Sequence, residues 1–127
     1  AHLEVKVPAR NVCILLVKEV PRVPILLSTS LHLSQGGVEV SQVQWDGRRK
    51  ILSGACHRLP GTRGNLIFYV PEGLAIGECT IAGERQSAQE IAPAVWKVDA
   101  EFHQQDLPWQ IAFRKSLGTG SVMVERK

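Results

Sequence analysis

The chain has 127 residues, of which 44% are apolar and 21% charged, and it carries a net charge of +3. That length suits one domain (1–127) able to bury about two-thirds of its unfolded surface, and the balance excludes disordered and cysteine-rich secreted classes. The 15 Lys and Arg residues are dispersed, and the one run, Arg48-Arg49-Lys50 beside Gly47, reads as a solvated turn and not as the basic face that nucleic acid requires.

The start, "AHLEVKVPAR", has no signal-peptide layout and is strand-like at once, as a piece of a longer protein would be. In "HLEVKV" (2–7), Leu3, Val5 and Val7 alternate with His2, Glu4 and Lys6, which predicts a half-buried strand ended by Pro8. "NVCILLVKEV" (11–20) is continuously apolar from Val12 to Val17, the pattern of a strand buried on both faces. It is far short of the roughly 18 residues of a membrane span, so no membrane partner is expected. "PILLSTSLHL" (24–33) gives a third strand, turned by Gly36-Gly37.

"VEVSQVQWD" (38–46) alternates again, with Val38, Val40, Val43 and Trp45 expected inward. Asp46-Gly47 predicts a hairpin through positive-φ turn residues, and "RRKILSGACHRL" (48–59) returns from it. "NLIFYVP" (65–71) and "LAIGECTIAG" (74–83) follow, separated by Glu72-Gly73, with a bulge expected at Gly77. "ERQSAQEIAP" (84–93) is the polar stretch that suits a short helical turn. "AVWKVDAEF", "LPWQIAFRK" and "SVMVERK" complete about ten strands with turn signals roughly every 8–12 residues. The predicted fold is all-β, an antiparallel, jelly-roll-like sandwich.

Little catalytic chemistry shows at the level of motifs. Glycoside cleavage needs two facing carboxylates roughly 5–10 Å apart, and Glu4, Glu19, Glu72, Glu90 and Glu125 all read as polar-face or turn residues. There is no G-x-S-x-G elbow and no phosphate-binding glycine loop. Cys56 and His57 are neighbours on a strand and point to opposite faces, so they do not pair as nucleophile and base. His2, His32, His57 and His103 have no metal-ligand spacing, and no cofactor is implied. Cys13, Cys56 and Cys79 lack C-x-x-C spacing; they are expected to be buried free thiols, which mildly favours a cytoplasmic location. Trp45, Trp96 and Trp109 are either core residues or platforms on which sugar rings stack.

"VPARNVCILLV", then "PILLSTSLHLSQGGVEVSQVQWD", then "YVPEG", resembles the C-terminal all-β domain of α-galactosidase-like (clan D) glycoside hydrolases. The residues that carry the likeness are Pro8-Ala9-Arg10 with Val12 and Leu15, Ser28-Thr29, His32-Leu33, Gln35-Gly36, Val38-Glu39 and Trp45-Asp46. It spans residues 5–73; residues 74–127 carry no matching motif. The resemblance implies a non-catalytic accessory domain of a carbohydrate-active enzyme, packed on a separate catalytic barrel of the parent chain. A barrel takes about 250 residues and has no room here. An autonomous carbohydrate-binding module and a protein-interaction domain unrelated to sugars are the alternatives.

His32, Gln35, Glu39, Trp45 and Trp109 are the candidate ligand or docking contacts. Two readings stay open: His32, Gln35 and Glu39 contact a ligand or a barrel loop, or Ser28, Thr29, His32 and Gln35 hydrogen-bond backbone groups and fix the corner entering the strand at 38–46. Val12–Val17 and Ile25-Leu26-Leu27 offer more apolar side chains than one sheet face needs, which predicts self-association of the isolated chain through a bare apolar face.

Overall fold

A computed structural model describes residues 2–13, 15, 17, 19–30 and 40–116. Among these residues the chain forms nine strands and no helix. They are β1 (Ile25–Thr29), β2 (Val40–Asp46), β3 (Ile51–His57), β4 (Arg63–Tyr69), β5 (Leu74–Ile81), β6 (Glu84–Gln86), β7 (Ala88–Ala92), β8 (Val95–Glu101) and β9 (Asp106–Lys115). One sheet has four strands in the order β1-β4-β8-β7; the other has five, β2-β3-β9-β5-β6, and every pairing is antiparallel. The two sheets form the predicted β-sandwich.

The alternating sequence decides which side chains meet between the sheets. Leu66, Phe68, Val98 and Ala100 come from the four-stranded sheet; Leu52, Cys56, Ile81, Leu107, Trp109, Ile111 and Phe113 come from the other. Phe68 is fully buried and meets the Trp109 ring edge to face at 5.2 Å, joining the layers. Burying each such side chain stabilises by about 1.5–3 kcal/mol.

Strict alternation fails once in a way that matters. Val40 and Trp45 are five residues apart, so an unbroken strand would send them to opposite faces. The β2–β3 register runs Ser41↔Ala55 and then Gln44↔Ser53, so Gln42 and Val43 together oppose Gly54. This bulge, with Gln42 at φ 55, turns both Val40 and Trp45 onto the core and leaves Val43 exposed, contrary to its expected inward position. The bulge expected at Gly77 is present, as a register shift between Ile76 and Glu78.

Three other local expectations are corrected. The turn after Asp46 spans residues 47–50, with Lys50 and not Gly47 at positive φ, and Asp46 Oδ1 accepts the N–H groups of Arg48 (3.0 Å) and Arg49 (3.1 Å). Residues 84–93 make β6 and β7 where a helical turn was expected, because Ala82 (φ 51) and Gly83 (φ 83) form a tight primed hairpin that sends the chain back along β5. The described residues of 2–7 and 11–20 form no strand, and Val12 (79%), Val17 (83%) and Val20 (77%) are largely exposed. Pro8, Pro21 and Pro24 interrupt any ladder there, and both edges of β4 are taken by β1 and β8. Cys13 lies in that segment and is exposed, not buried as expected; Cys56 and Cys79 are buried free thiols. Gly36-Gly37 and the last predicted strand, 121–127, lie outside the described residues.

Candidate functional site

The two outer faces of the sandwich differ in chemistry. On the five-stranded sheet, Gln44↔Ser53, Ser53↔Gln110 and Gln110↔Thr80 make one cross-strand row pointing away from the core. This row and Gln42 line a polar groove of about 640 Å³. On the four-stranded sheet, Leu26, Phe68 and Trp96 form an inward row, so the adjacent row of Ile25, Tyr69 and Val95 faces out. Ile67 lies outward two residues along, and Val20, Ile25, Leu27 and Tyr69 line a hollow of about 310 Å³. One outer face is therefore amide- and hydroxyl-rich, and the other has a half-buried apolar end of Ile25, Ile67, Tyr69 and Val95 and a charged end of Arg63, Lys97, Asp99 and Glu101.

The polar face carries the one cluster with the layout of reactive chemistry among the described residues. His57 and Asp106 are direct partners across β3 and β9, and His57 Nδ1 lies 2.7 Å from Asp106 Oδ1. Ser41, on the neighbouring strand just before the bulge, places Oγ 2.5 Å from His57 Nε2. Side-chain exposure is 35% for His57 and 69% for Asp106, so the cluster is open to solvent. Cys56 points into the core and His57 outward, as their adjacency on a strand requires. None of Ser41, His57 and Asp106 stands out in the sequence as a group, because they lie 16 and 49 residues apart and only strand register unites them.

No known protein family matches the sequence, and no curated protein or solved structure is detectably similar to it.

The residues singled out from the sequence divide. His32, Gln35 and Glu39 lie outside the described residues. Trp109 is 2% exposed and packs on Phe68, so its ring offers no platform to a ligand. Its indole N–H has no partner of full hydrogen-bond geometry; a weak interaction with the Cys56 thiol partly offsets the burial that pushes that thiol up to about 11. Trp45 is half-buried, edge-on to Phe113 at 5.8 Å, and Trp96 also packs on the core. These positions belong to aromatic residues that hold the sandwich together and present no coplanar pair.

No cluster of three metal-ligating side chains exists among the described residues. A further hollow of about 750 Å³ is lined in part by Arg63, Asp99, Glu101 and His103, and Arg63 there pairs with Glu101 at 3.3 Å.

Proposed function

We propose that this sandwich is an accessory domain of a carbohydrate-active enzyme, docked by the apolar end of one outer face onto a catalytic barrel of the same parent chain and contributing no glycoside-cleaving group of its own. The observation that carries the reading is the outward row of Ile25, Tyr69 and Val95, extended by Ile67 and by exposed Val20. A protein surface gains about 25 cal/mol for each Å² of apolar area it covers, so such a face favours a protein partner over water. The sugar context rests on the likeness of residues 5–73 to the C-terminal domains of α-galactosidase-like enzymes.

The polar groove supports a second role on the opposite outer face. Its neutral amides and hydroxyls suit the hydroxyl groups of a carbohydrate; Trp109 borders the groove but is 2% exposed, so its ring gives no stacking platform.

Cross-linking of the parent protein tests the docking. Lys97 pairs in register with Ile67 and so stands at the border of the apolar end of this face. The expected result is an amine-reactive link from Lys97 to a barrel lysine. Links to the barrel only from Lys50, on the turn between β2 and β3, would contradict this orientation.

A further inference from the structure

Ser41, His57 and Asp106 are joined in one line of hydrogen bonds across three neighbouring strands. The carboxylate decides how that line is polarised. Asp106 can only accept, so His57 Nδ1 carries the hydrogen, and the neutral ring then presents a lone pair at Nε2. The Ser41 hydroxyl donates to that lone pair. Carboxylate, imidazole and hydroxyl in this order are what nucleophilic acyl transfer needs.

We propose that Ser41, His57 and Asp106 form an acyl-transfer site for O-acyl esters of an uncharged, polyhydroxylated substrate. Ser41 is the nucleophile, His57 the general base and acid, and Asp106 a positioning residue that fixes the tautomer and orientation of the imidazole. The inference goes beyond the docking role and does not depend on it.

The substrate class follows from the surroundings. Ser41↔Ala55 and Ala55↔Pro108 form the outward row between the His57↔Asp106 pair and the row of Gln44, Ser53, Gln110 and Thr80. Successive outward rows are two residues apart, roughly 7 Å along the strands. The reacting hydroxyl thus sits one row from the groove, whose polar side chains bear no charge. A polyol bound there by its hydroxyl groups brings an acyl oxygen within reach of Ser41. The bulge immediately after Ser41 holds Gln42 at φ 55, a conformation uncommon outside glycine, and strain of this kind is concentrated at functional sites. It also takes the backbone N–H groups of Gln42 and Val43 out of one-to-one register beside the nucleophile, where an oxyanion forms.

The reaction balances with water as the only co-reactant. Ser41 Oγ attacks the ester carbonyl while its proton passes to His57 Nε2. The tetrahedral adduct collapses, the C–O bond to the alcohol breaks, and the departing oxygen takes the proton from Nε2. Water then attacks the acyl-Ser41 carbonyl and gives a proton to Nε2. That proton returns to Ser41 Oγ as the carboxylic acid leaves.

Because the cluster is open to solvent, turnover is slow, and covalent capture is a cleaner readout than steady-state rate. The test is reaction of the folded chain with a fluorophosphonate probe, in which Ser41 Oγ displaces fluoride, followed by intact-mass measurement and peptide mapping. The expected result is a single adduct on Ser41, absent in Ser41→Ala and formed roughly 100-fold more slowly in His57→Gln. Asp106→Asn is expected to slow capture and change its pH profile, with partial rescue in Asp106→Glu, which a purely structural carboxylate would not produce. Unchanged melting curves show that each variant is folded. No adduct on Ser41 of the folded wild-type chain, or an equal rate in folded His57→Gln, overturns the proposal.

Discussion

Gly54 on β3 and Trp109 on β9 are register partners, and the indole occupies the space that a side chain at position 54 would need. A Cβ placed on Gly54 would lie 2.6 Å from Trp109 Cζ2, well inside contact distance. The ring cannot swing away, because Phe68 packs on it from the opposite sheet. Gly54→Ala is therefore expected to destabilise by about 1–3 kcal/mol, read as a lower midpoint in urea, with a changed Trp fluorescence spectrum in the native state. An unchanged midpoint would show that the β3–β9 contact relaxes freely.

Trp109→Ala is expected to cost about 3–5 kcal/mol, as a large buried aromatic does when it leaves a cavity. A binding-module reading built on Trp109 predicts the opposite balance, lost sugar affinity with stability kept. Measuring the urea midpoint and sugar binding by calorimetry on the same variant separates the two.

The hairpin between β5 and β6 carries avoidable strain. Ala82 sits at φ 51, where a Cβ is costly, beside Gly83 at φ 83. Ala82→Gly is expected to raise stability by up to about 1 kcal/mol, and Gly83→Val to lower it by about 1–2 kcal/mol. A rise in melting temperature for the first and a fall for the second check the turn geometry.

Cys56 and Cys79 are pushed up to about 11 from 9.0 by burial. The folded chain holds these protons more tightly than the unfolded chain does. Below pH 9.0 both states keep them and the fold retains its full stability. Between there and about 11 the unfolded chain releases them first, so stability falls by up to about 1.4 kcal/mol per pH unit for each thiol. The Cys56→Ala/Cys79→Ala variant is expected to show a shallower fall over that interval. With a disulfide reagent near pH 8, the native chain is expected to expose the exposed thiol of Cys13 to rapid reaction and to protect the other two until it unfolds.

The fold was legible where sequence period and burial agree. "LPWQIAFRK" alternates cleanly and "NLIFYVP" is a short apolar run ended by Pro71; they become β9 and β4, whose inward residues make up much of the core. Legibility failed where periodicity had no partner strand. Leu3, Val5 and Val7 alternate like a strand, yet they pair with no strand of either sheet and these side chains stay exposed. Val43 was misplaced because a bulge has no signature in apolar spacing when a non-glycine residue takes the positive φ. The Ser41–His57–Asp106 line was hidden for a related reason. Its members become neighbours only after the register of β2 on β3 and β3 on β9 is known, and the bulge that sets Ser41 opposite Ala55 shifts that register by one residue. Pairing outward from Asp46↔Ile51 without the bulge sets Ser41 opposite the inward-facing Cys56, on the face away from His57.

The docking account stands most directly on the row of Ile25, Tyr69 and Val95, and sedimentation velocity of the isolated chain over a wide concentration range tests it. With no barrel against this surface, the weight-average mass is expected to rise with concentration. In the Val20→Ser/Ile67→Thr/Val95→Thr variant, where threonine keeps β-propensity while interrupting the apolar patch, it is expected to stay at the monomer value. A wild-type chain that remains monomeric at every concentration, with the variant indistinguishable from it, would contradict the claim that this face is built to be covered.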